Sequence, residues 1–428
     1  MTMLATRAPA TDDGVFETTE SDVRTYCRTF PAVFGRAKGA RLYAEDGSAF
    51  VDFFCGASAL NYGHNDEAIK TRLLEYLAAD GVMHALDMYT TAKRDFLVRL
   101  REVVLEPRAL DYKVQFCGPT GADAVEAATK LARKATGRRG LVAFAGSYHG
   151  VTAGSMAVSG SRRARAGAVS LPEALFVPYE NGPGGPFDSL GYLERMLSDP
   201  ASGVELPAAV IVEPVQMEGG VYVASGKWLR ALRDLTRRFG ILLVCDEIQT
   251  GCGRTGTFFC FEQAGIEPDV VTVSKSIGGY GLPLALALFR RELDVWDPGE
   301  HTGTFRGNQL AFVAAAAALE RWVDPDFLQR LESSCVLLQT FGREVERLES
   351  GIEARGRGMT LGIDLGSGER ARAVQRRCFE DGLIVELSGR DDEVVKVMPP
   401  LTIDDDLLEH GLDVLRAAVA ATAEDDCR

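Results

Sequence analysis

Three ionisable residues each follow an apolar run: Glu213 after Ala209–Val212, Asp246 after Ile241–Cys245 and Lys275 after Val270–Val273. They are 33 and 29 positions apart, each about one strand–crossover–strand unit of ~30 residues. If the strands are parallel, the three residues share one rim of a sheet, where ligands bind in open α/β folds. Lys275 stands in DVVTVSKSIGGYG, Asp269–Gly281, between a β-branched run and a glycine-rich turn. Partial loss of water there lowers a lysine pKa from its usual value of roughly 10.4 and makes a nucleophilic amine accessible. That is what a Schiff-base lysine needs. From this stretch alone, a lysine that merely snorkels from a strand end is the favoured account, because one strand-end lysine is a weak signal.

The elements that must position these residues are legible around them. Val114–Phe116 reads as a strand, broken by Gly118-Pro119. A helix opens near Gly121 with Val125, Ala128, Leu131, Ala132 and Ala135 at helical spacing. Leu141–Phe144, Ala209–Val212, Ile241–Cys245, Val270–Val273 and Leu284–Phe289 read as further strands. Ser225 is placed to cap a helix that Gly240 stops. Upstream, RLYAEDGSAFVDFF, Arg41–Phe54, reads as a hairpin with a type I′ turn at Asp46-Gly47. A helix over Glu67–Ala79 has Ile69, Leu73, Leu74 and Leu77 on one face. After Asp324 the pattern becomes α+β: a helix over Phe327–Leu348, strands at Met359–Asp364, Leu383–Leu387 and Val394–Val397, and a closing helix. The expectation is an α/β protein with a large domain built on a mainly parallel sheet (76–324). Residues 1–75 and 325–428 supply a smaller α+β domain.

Composition narrows the function. At 428 residues the chain can bury a large core, and its net charge of −14 disfavours nucleic acid and anionic membrane. The longest apolar run, Leu310–Leu319, is too short to span a bilayer. Residues up to about Glu20 have a disordered composition and no apolar signal core, which makes the cytoplasm the default location. Nine scattered cysteines form no C-x-x-C pair and read as reduced residues. Five histidines lack metal-site pairing, so no metal is expected.

Further residues complete a chemistry. Backbone N–H groups at Gly121 and Ala122 open a helix and can bind phosphate. Asp246, after an apolar strand, needs a cation if buried, and a protonated pyridine nitrogen would supply one. Tyr148, in SYHG after Leu141–Phe144, can stack on a flat ring. Together with Lys275 these describe a pyridoxal phosphate site.

The motifs GADAVEAATKLAR, SYHG, VEPVQMEGG, VCDEIQTGCGRTG, VSKSIGGYGLP and HTGTFRGNQLA occur in the order found in class III aminotransferases of fold type I. The chain resembles that family over most of its length. The resemblance assigns Lys275 as the Schiff-base lysine, Asp246 to the pyridine nitrogen, Gln249 to the ring hydroxyl, Tyr148 to the ring face, and Gly121 and Ala122 to the phosphate. It assigns Thr304 to the phosphate in a neighbouring subunit, which implies a homodimer with shared sites.

SDVRTYCRTFPAVF, FFCGASALNYGHND and GEHTGTFRGNQLAF look more closely like diaminobutyrate–2-oxoglutarate transaminases of the ectoine-pathway type. That likeness implies ping-pong transfer of the amino group of glutamate to aspartate 4-semialdehyde; an ornithine or GABA transaminase is the alternative. Lys396 stands where the wider family has a carboxylate-binding arginine, and Arg306 where a glycine is usual. Glu218 matches the glutamate that pairs with that arginine in relatives. Ala122, Met217 and Cys55 depart from the closer group, Cys55 in the segment expected to line the entrance. Racemisation on the same site, or a catalytically dead paralogue, are the rival readings.

Overall fold

The β-branched runs that flank Lys275 and Asp246 pair side by side, as their spacing predicts. The computed structural model describes residues 14–161, 164–167 and 171–425. In chain order the strands are β1 (Phe34–Lys38), β2 (Arg41–Ala44), β3 (Ala49–Asp52), β4 (Tyr112–Phe116), β5 (Leu141–Phe144), β6 (Ala174–Val177), β7 (Ala209–Val212), β8 (Val215–Gln216), β9 (Tyr222–Val223), β10 (Leu242–Asp246), β11 (Val270–Val273), β12 (Leu286–Arg290), β13 (Glu353–Arg357), β14 (Thr360–Asp364), β15 (Leu383–Ile384), β16 (Glu386–Ser388) and β17 (Val394–Val397).

A seven-stranded sheet in the order β4-β12-β11-β10-β7-β5-β6 forms the centre. Its pairs from β11 to β6 are parallel, and β12 runs against both of its neighbours. Strands β5, β7 and β11 are buried throughout, which is why they read as unbroken apolar runs. Helix Gly121–Thr136 covers one face, with Ala124, Val125, Ala128 and Leu131 buried against the sheet. Helix Gly226–Phe239 covers the other; Ser225 accepts from the Trp228 N–H at its start, and Gly240 ends it at φ 59°. Two four-stranded sheets, β1-β2-β3-β15 and β13-β14-β17-β16, and the two-stranded pair β8-β9 complete the fold. Apolar side chains from both ends of the chain meet there: Val51, Phe53 and Ile69 share one core with Leu361, Val395 and Leu408. Among the described residues no helix is long and apolar enough to cross a membrane.

Several sequence expectations need correction. Val15–Thr19 is helical rather than disordered, because the Arg24 guanidinium donates to the Phe16 carbonyl at 2.6 Å; residues 1–13 lie outside the described residues. The hairpin turn is not type I′. Among its residues only Gly47 takes a positive φ, 91°, and its N–H closes on the Ala44 carbonyl, the three-residue arrangement that ends in a glycine bulge. Leu74 and Leu77 are exposed, while Ile69 and Leu73 are buried. The run Leu383–Leu387 is two strands in two sheets: β15 pairs with β3, and β16 pairs with β17. Strands β1 and β6 have no clear signal in the sequence, β1 because its burial is only partial. Eight cysteines are free thiols, and Cys427 lies outside the described residues.

Candidate active site

Strands β7, β10 and β11 are adjacent and parallel, so Glu213, Asp246 and Lys275 emerge at one rim. Lys275 is half-buried and has φ 53°, a left-handed conformation that costs a non-glycine residue about 1–3 kcal/mol. Its Nζ donates to the Ala57 carbonyl at 2.9 Å. Loss of water lowers its pKa, with Glu218 pulling up and Lys396 pulling down. The receiving turn is unusual: Cys55, Gly56, Ala57 and Ser58 all have positive φ, between 53° and 68°. The next residue pair fastens it, since Ser276 Oγ donates to the Ser58 carbonyl at 2.7 Å and accepts from the Asn61 N–H.

Asp246 is buried and each of its oxygens has a protein partner. Oδ1 accepts from Thr272 Oγ1 at 3.0 Å and the Ile248 N–H at 3.1 Å; Oδ2 lies 2.6 Å from His149 Nδ1. The sequence reading passed over His149, although it adjoins Tyr148 in SYHG. Its Nε2 is buried and has no protein partner among the described residues. Glu213 accepts from the Tyr148 N–H at 2.9 Å. Burial pushes its carboxyl well above the usual range, and Asp246 adds to this. The Tyr148 side chain stands 41% exposed at the rim.

The helix N-terminus fits an anion. Thr120 and Asp123 cap each other, so the first-turn N–H groups of Gly121 and Ala122 carry no helical partner. A Cβ at Gly121 would come within 2.9 Å of Ile248, which fixes the close packing there. Gln249 is buried with Nε2 3.9 Å from Met398 Sδ, beside the Glu218 carboxylate.

Lys396 is fully buried between two carboxylates: Nζ lies 2.7 Å from Glu218 Oε1 and 3.0 Å from Glu386 Oε2. Tyr26 Oη donates to Glu386 Oε1 at 2.8 Å. Burial alone would raise the Glu218 pKa, but Lys396 and Lys275 outweigh it and hold the carboxyl below its usual range. Burial raises that of Glu386 against the pull of Lys396. Glu386 and Tyr26 were not found from the sequence; the signal for Glu386 is its place in an apolar run ending before a glycine.

The remaining expected residues lie apart from this cluster within the chain. Thr304 is exposed, its carbonyl accepting from His84 Nε2 at 2.9 Å. Arg306 donates to the His301 carbonyl and lies 3.5 Å from Asp87. The Cys55 side chain itself is fully buried, with Sγ 3.3 Å from the Arg254 guanidinium.

Comparison with known proteins agrees with this geometry. Residues 24–419 match the family model "Aminotransferase class-III". The chain is 52% identical over 417 residues to a diaminobutyrate–2-oxoglutarate transaminase of Streptomyces coelicolor, covering 96% of this chain and 99% of that one. It is 50% identical to the protein of that name in Halalkalibacterium halodurans, covering 97% and 98%. Among solved structures, an ornithine aminotransferase from Toxoplasma gondii superposes with a TM-score of 0.83 at 25% identity, over 97% of this chain and 95% of that one. The fold, the rim of three ionisable residues and the matched span together place the chain: it belongs to the class III aminotransferases.

Proposed function

We propose that the chain is a pyridoxal-phosphate-dependent transaminase that moves the amino group of L-glutamate to L-aspartate 4-semialdehyde, giving L-2,4-diaminobutyrate and 2-oxoglutarate. The observation that carries the reaction class is the half-buried Lys275 amine on the same rim as the oriented Asp246 carboxylate. The substrate pair is supported by the near-full-length similarity to diaminobutyrate–2-oxoglutarate transaminases.

The residues fit the cofactor. The N–H groups of Gly121 and Ala122 would hold its phosphate, Asp246 its ring nitrogen, Tyr148 its ring face and Gln249 its hydroxyl. When bound, it supplies an electron sink for the carbanion formed at the amine-bearing carbon. Lys275 Nζ, whose proton is loosened by burial, takes the proton from that carbon and returns one in the reverse half-reaction. Lys396, with Glu218 as its gate and Arg306 as a second cation, receives a substrate carboxylate.

We infer a homodimer. Val82, Met83, Leu86 and Met88 are each more than half exposed, with Tyr89 100% and Phe305 69%. An apolar patch of this kind marks an interface. It adjoins Thr304, which on this reading serves the phosphate site of the second copy, where Arg306 also belongs. The unpaired thiols support a cytoplasmic setting, and the product is assigned to ectoine-type biosynthesis.

The test is an acceptor panel with glutamate as donor. Equimolar 2-oxoglutarate and diaminobutyrate from the semialdehyde is the expected result. Turnover of ornithine or 4-aminobutyrate with 2-oxoglutarate, and none with diaminobutyrate, would favour the ornithine or GABA type instead.

A further inference from the structure

The loop that carries Thr304 is held to its own chain without a core. No residue from Asp294 to Asn308 is buried, so apolar packing does not fix it. Its first half contains Asp297-Pro298-Gly299-Glu300, and those residue types dictate a turn. Proline suits the first central position, and glycine supplies the positive φ, 82°, that a type II turn needs at the second. The Glu300 N–H closes on the Asp297 carbonyl at 3.1 Å. This turn lies against the helix Gly121–Thr136. Lys130 Nζ donates to the Glu300 carbonyl at 2.8 Å. Lys134 Nζ donates to Asp297 Oδ2 at 2.9 Å and to the Glu300 carboxylate. Both ammoniums also stand over the Trp296 ring, 5.4 and 6.0 Å from its centre, within reach of a cation–π attraction. The Trp296 Nε1–H donates to Gln115 Oε1 on β4 at 3.0 Å.

Like charges one helical turn apart repel each other on a bare helix; here the acidic turn and the indole face answer both. The later part of the loop is tied elsewhere, by Arg306 at the His301 carbonyl and by His84 at the Thr304 carbonyl. We propose that Lys130 and Lys134 are positioning residues that hold this loop where Thr304 can serve the phosphate of the second copy; this rests on the shared-site reading above. One helix then serves two phosphates. Its first-turn N–H groups hold the cofactor of its own chain. About 20 Å further along, its lysines hold the loop that completes the site of the other chain. Lys134 and Glu300 are 28% and 30% exposed, and a single ion pair of that kind contributes little. The two lysines, the turn and the indole therefore act as one network.

Mixed dimers test this. In each, one subunit carries Lys275→Ala, so only the other subunit's site holds cofactor through Lys275. The loss of its absorbance on transfer to cofactor-free buffer gives the release rate. Lys130→Met with Lys134→Met, placed in the Lys275→Ala subunit, should speed release from the intact site about three- to thirtyfold, the combined effect of two partly exposed charged contacts. The same pair placed in the subunit that keeps Lys275 should change release by less than about twofold. A merely structural role in helix Gly121–Thr136 gives the reverse pattern. Lys130→Arg with Lys134→Arg should keep release near the wild-type rate. Trp296→Leu in the same two arrangements replaces the double Met variant if that variant fails to fold. Faster release only from the subunit that bears the substitutions, or no change in either arrangement, would overturn the proposal. Thr304→Ala in the Lys275→Ala subunit should itself speed release; if it changes nothing, the shared-site reading falls as well.

Discussion

His149 Nδ1 lies 2.6 Å from Asp246 Oδ2, and both side chains are buried. The imidazole takes one carboxylate oxygen, while Thr272 and the Ile248 N–H take the other. The Asp246 carboxyl is thereby held in one orientation by protein contacts alone. The His149 backbone is fixed in turn by the Ser159 hydroxyl at 2.9 Å.

Asp246→Asn should retain the cofactor and lose most activity. A neutral amide cannot stabilise a protonated ring nitrogen, and removal of one preorganised electrostatic partner costs about 3 kcal/mol in the barrier. Turnover alongside the absorbance of bound cofactor decides it: an unchanged rate with cofactor present assigns the acid elsewhere.

Lys275→Ala should abolish turnover and leave the fold largely intact, since the buried strand behind it, Val270–Val273, carries the packing. Circular dichroism should match the wild type. Wild-type turnover in this variant would remove Lys275 from the chemistry.

Lys396→Ala should raise KM for substrates with a carboxylate and affect simple amines much less. A charge-assisted hydrogen bond of about 1.5–3 kcal/mol corresponds to roughly a ten- to hundredfold loss in kcat/KM. The same substitution strands Glu218 and Glu386 against each other, so a loss of stability should accompany it. Equal kinetic effects on both substrate types would mean that Lys396 reads no carboxylate.

Glu247 makes a pH prediction. It is fully buried, accepts from the Thr250 hydroxyl and the Phe261 N–H, and burial pushes its carboxyl up to about 7. The folded state therefore holds a proton that the unfolded chain releases near pH 4.5. Its stabilising contribution is full below that pH and is lost as pH rises to about 7, by about 3 kcal/mol. Urea midpoints at pH 5 and pH 8 should fall for the wild type and change less for Glu247→Gln. Parallel trends would place the titration in another group.

The sequence made the large sheet legible because its strands are buried on both faces, so Ala209–Val212 and Val270–Val273 show as uninterrupted apolar runs. Lys275, Asp246 and Glu213 were legible for the same reason, each standing where such a run stops. His149 was not, because its role depends on a carboxylate 97 positions away. Glu386 was hidden inside LIVEL, a stretch that reads as one strand until two different sheets claim its halves. Helical spacing put Leu74 and Leu77 on an inner face, but burial depends on what lies opposite, and within one chain nothing covers them.

The change of sheets at Val385 has a mechanical consequence. Val385 is fully buried and is the single residue between β15 and β16. On one side the Phe53 N–H donates to the Ile384 carbonyl; on the other Glu386 faces Lys396. The Phe53 carbonyl accepts from the Met398 N–H, just past β17. Phe53 is therefore bonded two residues before Glu386 and two residues after Lys396, and two residues later the chain enters the left-handed turn whose Ala57 carbonyl holds Lys275. One short run of chain, Phe53–Ala57, thus touches the backbone on both sides of the Glu386–Lys396 pair and ends at the carbonyl that accepts from the Lys275 amine.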